Sequence, residues 1–89
     1  MAWKIELLPE ARKGLKKIGA AEAKRILKFL HERIQPMEDP RSIGESLKGS
    51  RLGGLWRYRT GDYRILCDIQ DEQIIILVVM IGHRREVYK

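Results

Sequence analysis

Cysteine is nearly absent: Cys67 is the only one among 89 residues. No disulfide can form within the chain, and with only His31 and His83 beside it no paired zinc-ligand spacing is available. No apolar run approaches the roughly 18 residues that a membrane-spanning helix needs. The opening Met1-Ala2-Trp3-Lys4-Ile5-Glu6 meets an acidic residue before any apolar stretch develops, which argues against a signal peptide. These scarcities predict a reducing, cytoplasmic setting, with no metal, no cofactor and no membrane partner. Length is short too: a chain of this size buries only about 60–65% of the surface it exposes when unfolded. A single domain spanning residues 1–89 with one small core is expected.

Acidic residues are outnumbered. Twelve Asp and Glu stand against eighteen Lys and Arg, a net charge of +6 that favours a polyanionic partner. The distribution is more telling than the sum. Residues 1–50 carry seven Lys and four Arg, whereas residues 51–89 carry six Arg and one Lys. Lysines on helices usually form a solvated face, and Lys13, Lys16 and Lys17 read that way. Arginine presents a rigid donor fork suited to phosphate. The C-terminal half is therefore expected to do the chemistry.

Alternation of Trp3, Ile5 and Leu7 with Lys4 and Glu6 predicts a half-buried strand. Pro9 suits the first turn of a helix, Ala11, Leu15 and Ile18 form its apolar stripe, and Gly19 stops it. Ala23, Ile26, Leu27, Leu30 and Ile34 mark a second helix, closed by Pro36. Residues 36–54, with two Pro and four Gly, form the main connection, in which Ile43 and Leu47 would anchor a single turn. Strands are then expected over Leu55–Thr60, Tyr63–Ile69 and Gln73–Ile81, turning at Gly61-Asp62 and Asp71-Glu72. The last is apolar on both faces, as a central strand would be. The pattern predicts an α+β fold: an N-terminal strand, a two-helix hairpin, then a three-stranded antiparallel meander. The sheet should have about four strands, with the helices on one face.

A turn at Gly61-Asp62 sets the pairing. Thr60 faces Tyr63, Arg59 faces Arg64, Tyr58 faces Ile65, Arg57 faces Leu66 and Trp56 faces Cys67. Trp56, Tyr58, Ile65, Cys67 and Ile69 then point toward the helices, and Arg57, Arg59 and Arg64 point away. Like charges across a strand pair repel, so three arginines on one patch make sense if an anion sits among them. A solvated face is the plainer alternative. Leu55, Leu66, Leu77, Val79 and Ile81 are expected beside the arginines, as an apolar patch fit for a partner. After Gly82, which ends the apolar strand, come His83, Arg84, Arg85 and Tyr88, residue types suited to proton transfer and phosphate binding.

The segments Leu47-Lys48-Gly49, Gly54-Leu55-Trp56-Arg57-Tyr58-Arg59, Gly61-Asp62-Tyr63-Arg64-Ile65 and Gly82-His83-Arg84-Arg85-Glu86-Val87-Tyr88 resemble the RelE branch of the RelE/ParE toxin superfamily. The resemblance covers nearly the whole chain. It implies a toxin of a type II toxin–antitoxin pair that enters the ribosomal A site and cuts messenger RNA. The 2′-hydroxyl attacks the adjacent phosphate and no metal takes part. It implies a cognate RelB-like antitoxin, with operator DNA bound only through that complex. By position, Arg57 matches a catalytic lysine, Arg64 and Arg84 match phosphate-binding or acid-role arginines, and Tyr88 matches the C-terminal tyrosine. Arg59, Lys48 and Arg85 are assigned to substrate binding. Some members carry a further lysine where this chain has Leu55. Guanidinium is not deprotonated in proteins, so the proton acceptor passes from Arg57 to Tyr88 or His83. Two alternatives remain: a ParE-like inhibitor of DNA gyrase with the same fold, against which Arg57, Arg64, Arg84 and Tyr88 together argue, and a non-catalytic nucleic-acid-binding module, which would use the same arginines without needing Tyr88.

Overall fold

A computed structural model describes residues 2–48 and 53–87. Strand β1 (Lys4–Leu7) leads into helix α1 (Pro9–Ile18), which Pro9 opens and Gly19 ends. Helix α2 (Ala20–Phe29) runs on into one wide π-helical turn, Leu30–Ile34, closed by the Gln35 N–H donating to the Leu30 carbonyl. A loop leads to the two-residue strand β2 (Glu45–Ser46). Then follow β3 (Trp56–Thr60), β4 (Tyr63–Gln70) and β5 (Ile75–His83). The sheet order is β1-β5-β4-β3-β2, with β1 parallel to β5 and the other pairs antiparallel. The α+β class, the helical hairpin and the meander match the expectation.

Among the described residues the sheet has five strands rather than four. The added strand is β2, formed where a single turn around Ile43 and Leu47 was expected. Its Glu45 pairs with Arg57 and its Ser46 with Trp56. So short a strand has no periodicity of its own and exists because the edge of β3 offers unpaired backbone groups.

The β3–β4 register is the expected one at all five pairs. One sheet face meets the helices. There Tyr58, Ile65, Cys67, Ile69, Ile76, Val78 and Ile81 form a core with Ala11, Leu15, Ile26, Leu30 and Ile34. Helix α1 lies hard against β5, since a Cβ on Gly14 would collide with the Ile81 carbonyl.

Ile81 is a correction. Alternation through the apolar run puts it with Leu77 and Val79 on the arginine face. The β4–β5 register slips between Leu66 and Cys67: Leu66 pairs with Met80 but Cys67 with Val78, leaving Val79 as the extra residue. A bulge of this kind reverses the alternation beyond it. Ile81 therefore turns inward opposite Ile65 and is 3% exposed. The strand also runs past Gly82 to His83.

Candidate functional site

Arg57, Arg59, Arg64 and Leu66 share the sheet face opposite the core. Leu66 belongs to no part of the helix-side cluster, yet it is fully buried, with Arg57 and Met80 as its cross-strand neighbours. Leu77 and Met80 are half-buried on this face, and so is Leu55 where the chain enters β3. The patch is thus made of arginines around a small apolar floor.

The arginines form two groups. Along β3, the Glu45 carboxylate joins the first. Glu45 Oε2 lies 2.6 Å from Arg57 Nη2 and Glu45 Oε1 lies 3.8 Å from Arg59 Nη1. The Arg57 side chain is only 19% exposed, whereas that of Glu45 is 57% exposed. The expected anion among the arginines is, in this state, one of the protein's own side chains. Sequence reasoning did not single out Glu45, because it sits in a Gly/Pro-rich connection and its pairing with β3 is tertiary.

The second group sits at the β3–β4 turn. Arg64 is 8% exposed, and its Nη1 donates to the carbonyls of Gly61 and Tyr63 at 3.2 and 3.0 Å. The Arg84 N–H donates to the Asp62 carbonyl at 2.8 Å, and Arg84 Nε stands 4.0 Å from Asp62 Oδ1. Asp62 thereby docks the end of β5 onto the turn. Arg59 faces Arg64 directly across the strands, a like-charge pair that links the two groups.

After β5 the chain makes one tight turn, with the N–H groups of Glu86 and Val87 both donating to the His83 carbonyl. Val87 folds back and is buried, its Cγ2 3.0 Å from where a Cβ on Gly82 would stand. A Cβ at 82 would therefore require the Val87 side chain to give by a few tenths of an ångström. His83 does not join the arginine face. It pairs with Tyr63, whose ring meets the imidazole edge-on at 5.9 Å, and its Nδ1 accepts the Arg85 N–H at 3.2 Å. It lines a cleft of about 260 Å³ with Lys13, Lys17 and Met80, closed at one side by the Lys17–Glu86 ion pair at 2.9 Å. Arg85 and Lys48 are exposed. Tyr88 lies outside the described residues.

Tyr58 and Cys67, both in the core as expected, are unsuited to proton transfer. Burial pushes the Tyr58 phenol well above its ordinary range, and its hydroxyl donates to the Pro40 carbonyl. Burial likewise raises the Cys67 thiol, deep in the core as expected. Among the described residues, no group of three or more His, Cys, Asp or Glu side chains converges as a metal site would require. None of the described helices is long and apolar enough to cross a membrane.

Residues 5–88 match the family model described as ParE toxin of type II toxin-antitoxin system, parDE. Toxin RelG of Mycobacterium tuberculosis is 25% identical over 89 residues, covering 100% of this chain and 99% of the relative. The mRNA interferase toxin RelE of Escherichia coli is 27% identical over 90 residues, covering 99% of this chain and 92% of the relative. Among solved structures, a chain of the toxin–antitoxin complex RelBE2 from Mycobacterium tuberculosis superposes with a TM-score of 0.84 at 23% identity, covering 97% of this chain and 95% of that one. The isolated Escherichia coli RelE toxin gives 0.70 at 25% identity, covering 98% and 92%.

Proposed function

The chain belongs to the RelE-type toxins of the RelE/ParE superfamily of type II toxin–antitoxin systems, and on that premise we propose that it is a metal-independent endoribonuclease that cuts messenger RNA in the ribosomal A site, in the cytoplasm. The observation that carries this reading is the face opposite the helices, where Arg57, Arg59 and Arg64 meet in register and Arg84 is docked to the same turn as Arg64. Guanidinium groups gathered on one sheet surface are suited to stabilise a phosphate that gains charge in the transition state.

In the proposed reaction the RNA's 2′-hydroxyl oxygen attacks the adjacent phosphorus, and a base takes its proton. The bond to the 5′-oxygen of the next nucleotide breaks, and an acid protonates that oxygen. A 2′,3′-cyclic phosphate is left upstream. Arg57 and Arg64 hold the phosphate oxygens, and Arg84 stands by the leaving oxygen. Arg59, Lys48 and Arg85 bind the flanking backbone. Tyr88 is the proposed base, the C-terminal tyrosine that the family resemblance assigns to the site. His83 lies beside Tyr63 rather than among the arginines, and with Nδ1 accepting the Arg85 N–H its neutral ring carries the proton on Nε2, so it can donate toward the leaving oxygen but not take the 2′-hydroxyl proton. With so sparse an acid–base set, the ribosome is needed to orient the message.

The mRNA interferase name of the Escherichia coli relative supports the reading. The RelB–RelE complexes among the structural neighbours support a RelB-like antitoxin as partner. That partner would cover the apolar floor and set acidic residues against the arginines, and operator DNA would be bound through it. A second reading, inhibition of DNA gyrase, is favoured by the ParE description of the matching family model. Purified protein added to translating ribosomes on a defined message tests the two. Cuts within the A-site codon are expected, with little cleavage of naked RNA. Intact messages together with gyrase-dependent DNA breaks would favour the second reading.

A further inference from the structure

We infer that Glu45 is an internal occupant of the RNA-phosphate site: its carboxylate holds Arg57 and Arg59 in the free protein and is displaced by the phosphate when RNA binds. This rests on the RNA-cleaving reading of the arginine face and adds to it the resting state of that face.

Geometry is the first support. One Glu45 oxygen meets Arg57 at 2.6 Å and the other turns to Arg59 at 3.8 Å. Two oxygens of one anion, each assigned to one guanidinium, is the arrangement a phosphate would adopt in the same place. Electrostatics is the second. Arg57 is mostly shielded from solvent, and Arg59 faces Arg64 across the sheet. Cations so placed need a counter-charge whenever no ligand is present. Glu45 supplies one, and a ligand anion and Glu45 cannot use the same donors together.

Mobility is the third. Glu45 projects from a two-residue edge strand and more than half of its side chain is exposed, so it can turn aside without disturbing the core. The backbone before it stays put, because Tyr58 and Trp56 bind the carbonyls of Pro40 and Ile43 and Arg41 is bridged to Asp71. Such an occupant also favours selectivity. Loosely held polyanions meet a neutralised fork and bind weakly. An RNA positioned at several points replaces Glu45.

The test measures binding apart from cleavage. A short fluorescent RNA bearing one 2′-deoxy nucleotide before the scissile phosphate is titrated with wild type, Glu45→Gln and Glu45→Asp, with anisotropy as the readout over a range of salt. Glu45→Gln is expected to bind about tenfold tighter at low salt. Its log K against log salt should be steeper by about 0.7, one further single-strand phosphate contact. Glu45→Asp, one methylene shorter, should fall between. In the wild-type protein, inorganic phosphate should shift the Arg57 side-chain Nε–H resonance, which covers the case of a variant that folds poorly. Equal or weaker RNA binding by folded Glu45→Gln would overturn the inference. So would a cleavage loss on the ribosome of more than a hundredfold with affinity unchanged, the mark of an acid–base role. Tighter binding in a protein that cuts no message would uphold the Glu45 role and count against the nuclease reading alone.

Discussion

Arg41 and Asp71 form a two-point bridge, Nη1 to Oδ1 at 2.8 Å and Nη2 to Oδ2 at 2.9 Å, between residues thirty positions apart. It ties the loop before β2 to the β4–β5 turn. With the Tyr58–Pro40 and Trp56–Ile43 hydrogen bonds it fixes the stretch that delivers Glu45 to the arginines. The site therefore depends on contacts far from it in sequence.

This bridge has a pH signature. The hydrogen bond from Arg41 holds the Asp71 carboxyl below its ordinary 3.8. A depressed carboxyl stabilises the fold above its unfolded value of about 3.9, and that contribution fades as pH falls through the folded value. Asp71→Asn should therefore lower the urea midpoint at pH 7, and the gap from wild type should close as the pH falls through the lowered folded value. Urea unfolding at several pH values checks this. A gap that stays constant into strong acid would mean that Asp71 acts through packing or its backbone turn.

Close approach of α1 to β5 makes a second demand. A Cβ at residue 14 would press on the Ile81 carbonyl, which is backbone inside the sheet and cannot turn aside. Gly14→Ala should destabilise the protein by about 1–3 kcal/mol, the usual range for overpacking, although alanine is the better helix former. Equilibrium unfolding of the variant measures it. A neutral or stabilising effect would show that α1 can slide along β5.

Arg57 and Arg84 carry the third. Loss of one preorganised donor at a reacting centre costs about 10²–10³ in rate. Arg57→Ala and Arg84→Ala should each reduce ribosome-dependent cleavage by that order and relieve growth inhibition. Arg84→Ala should change stability little, because Asp62, the carboxylate left behind, is more than half exposed; Arg57→Ala is compared at equal folded fraction, since the Arg57 side chain is only 19% exposed. Arg12→Ala, on the outer surface of α1, should leave cleavage intact. Equal losses in all three would show that the charge acts only as a diffuse attractor.

Much of this arrangement is legible in the chain because it is local. Gly61-Asp62 sets a two-residue turn, and from it the register of Arg57, Arg59 and Arg64 follows by counting. The helical hairpin follows from Pro9, Gly19 and Pro36 in the same way. What escaped is non-local. The Val79 bulge reverses alternation in a run that is apolar throughout, so nothing in Ile74–Ile81 marks where the face changes, and Ile81 is misplaced as a result. Glu45 is one of three acids in the loop, with Glu38 and Asp39, until β3 offers it an edge. His83 follows an unbroken strand through Gly82 and so lands beside Tyr63, away from the arginines.

The reaction route makes the sharpest demand on the substrate. Acid–base candidates are few: Tyr58 and Cys67 are held protonated by burial, and guanidinium does not accept protons. The scheme therefore uses the RNA's own 2′-hydroxyl as nucleophile, with arginines stabilising the charged intermediate. A message carrying a single 2′-deoxy nucleotide before the scissile phosphate should resist cutting on the ribosome, while its unmodified counterpart is cut under the same conditions. The upstream fragment should end in a 2′,3′-cyclic phosphate, read by mass spectrometry. A chelator added at levels that leave the ribosomes intact should not slow the reaction, since no residue in the scheme needs a metal-bound water. Normal cleavage of the deoxy-substituted message, or an upstream fragment ending in a free 3′-hydroxyl, would rule the route out and point to attack by external water.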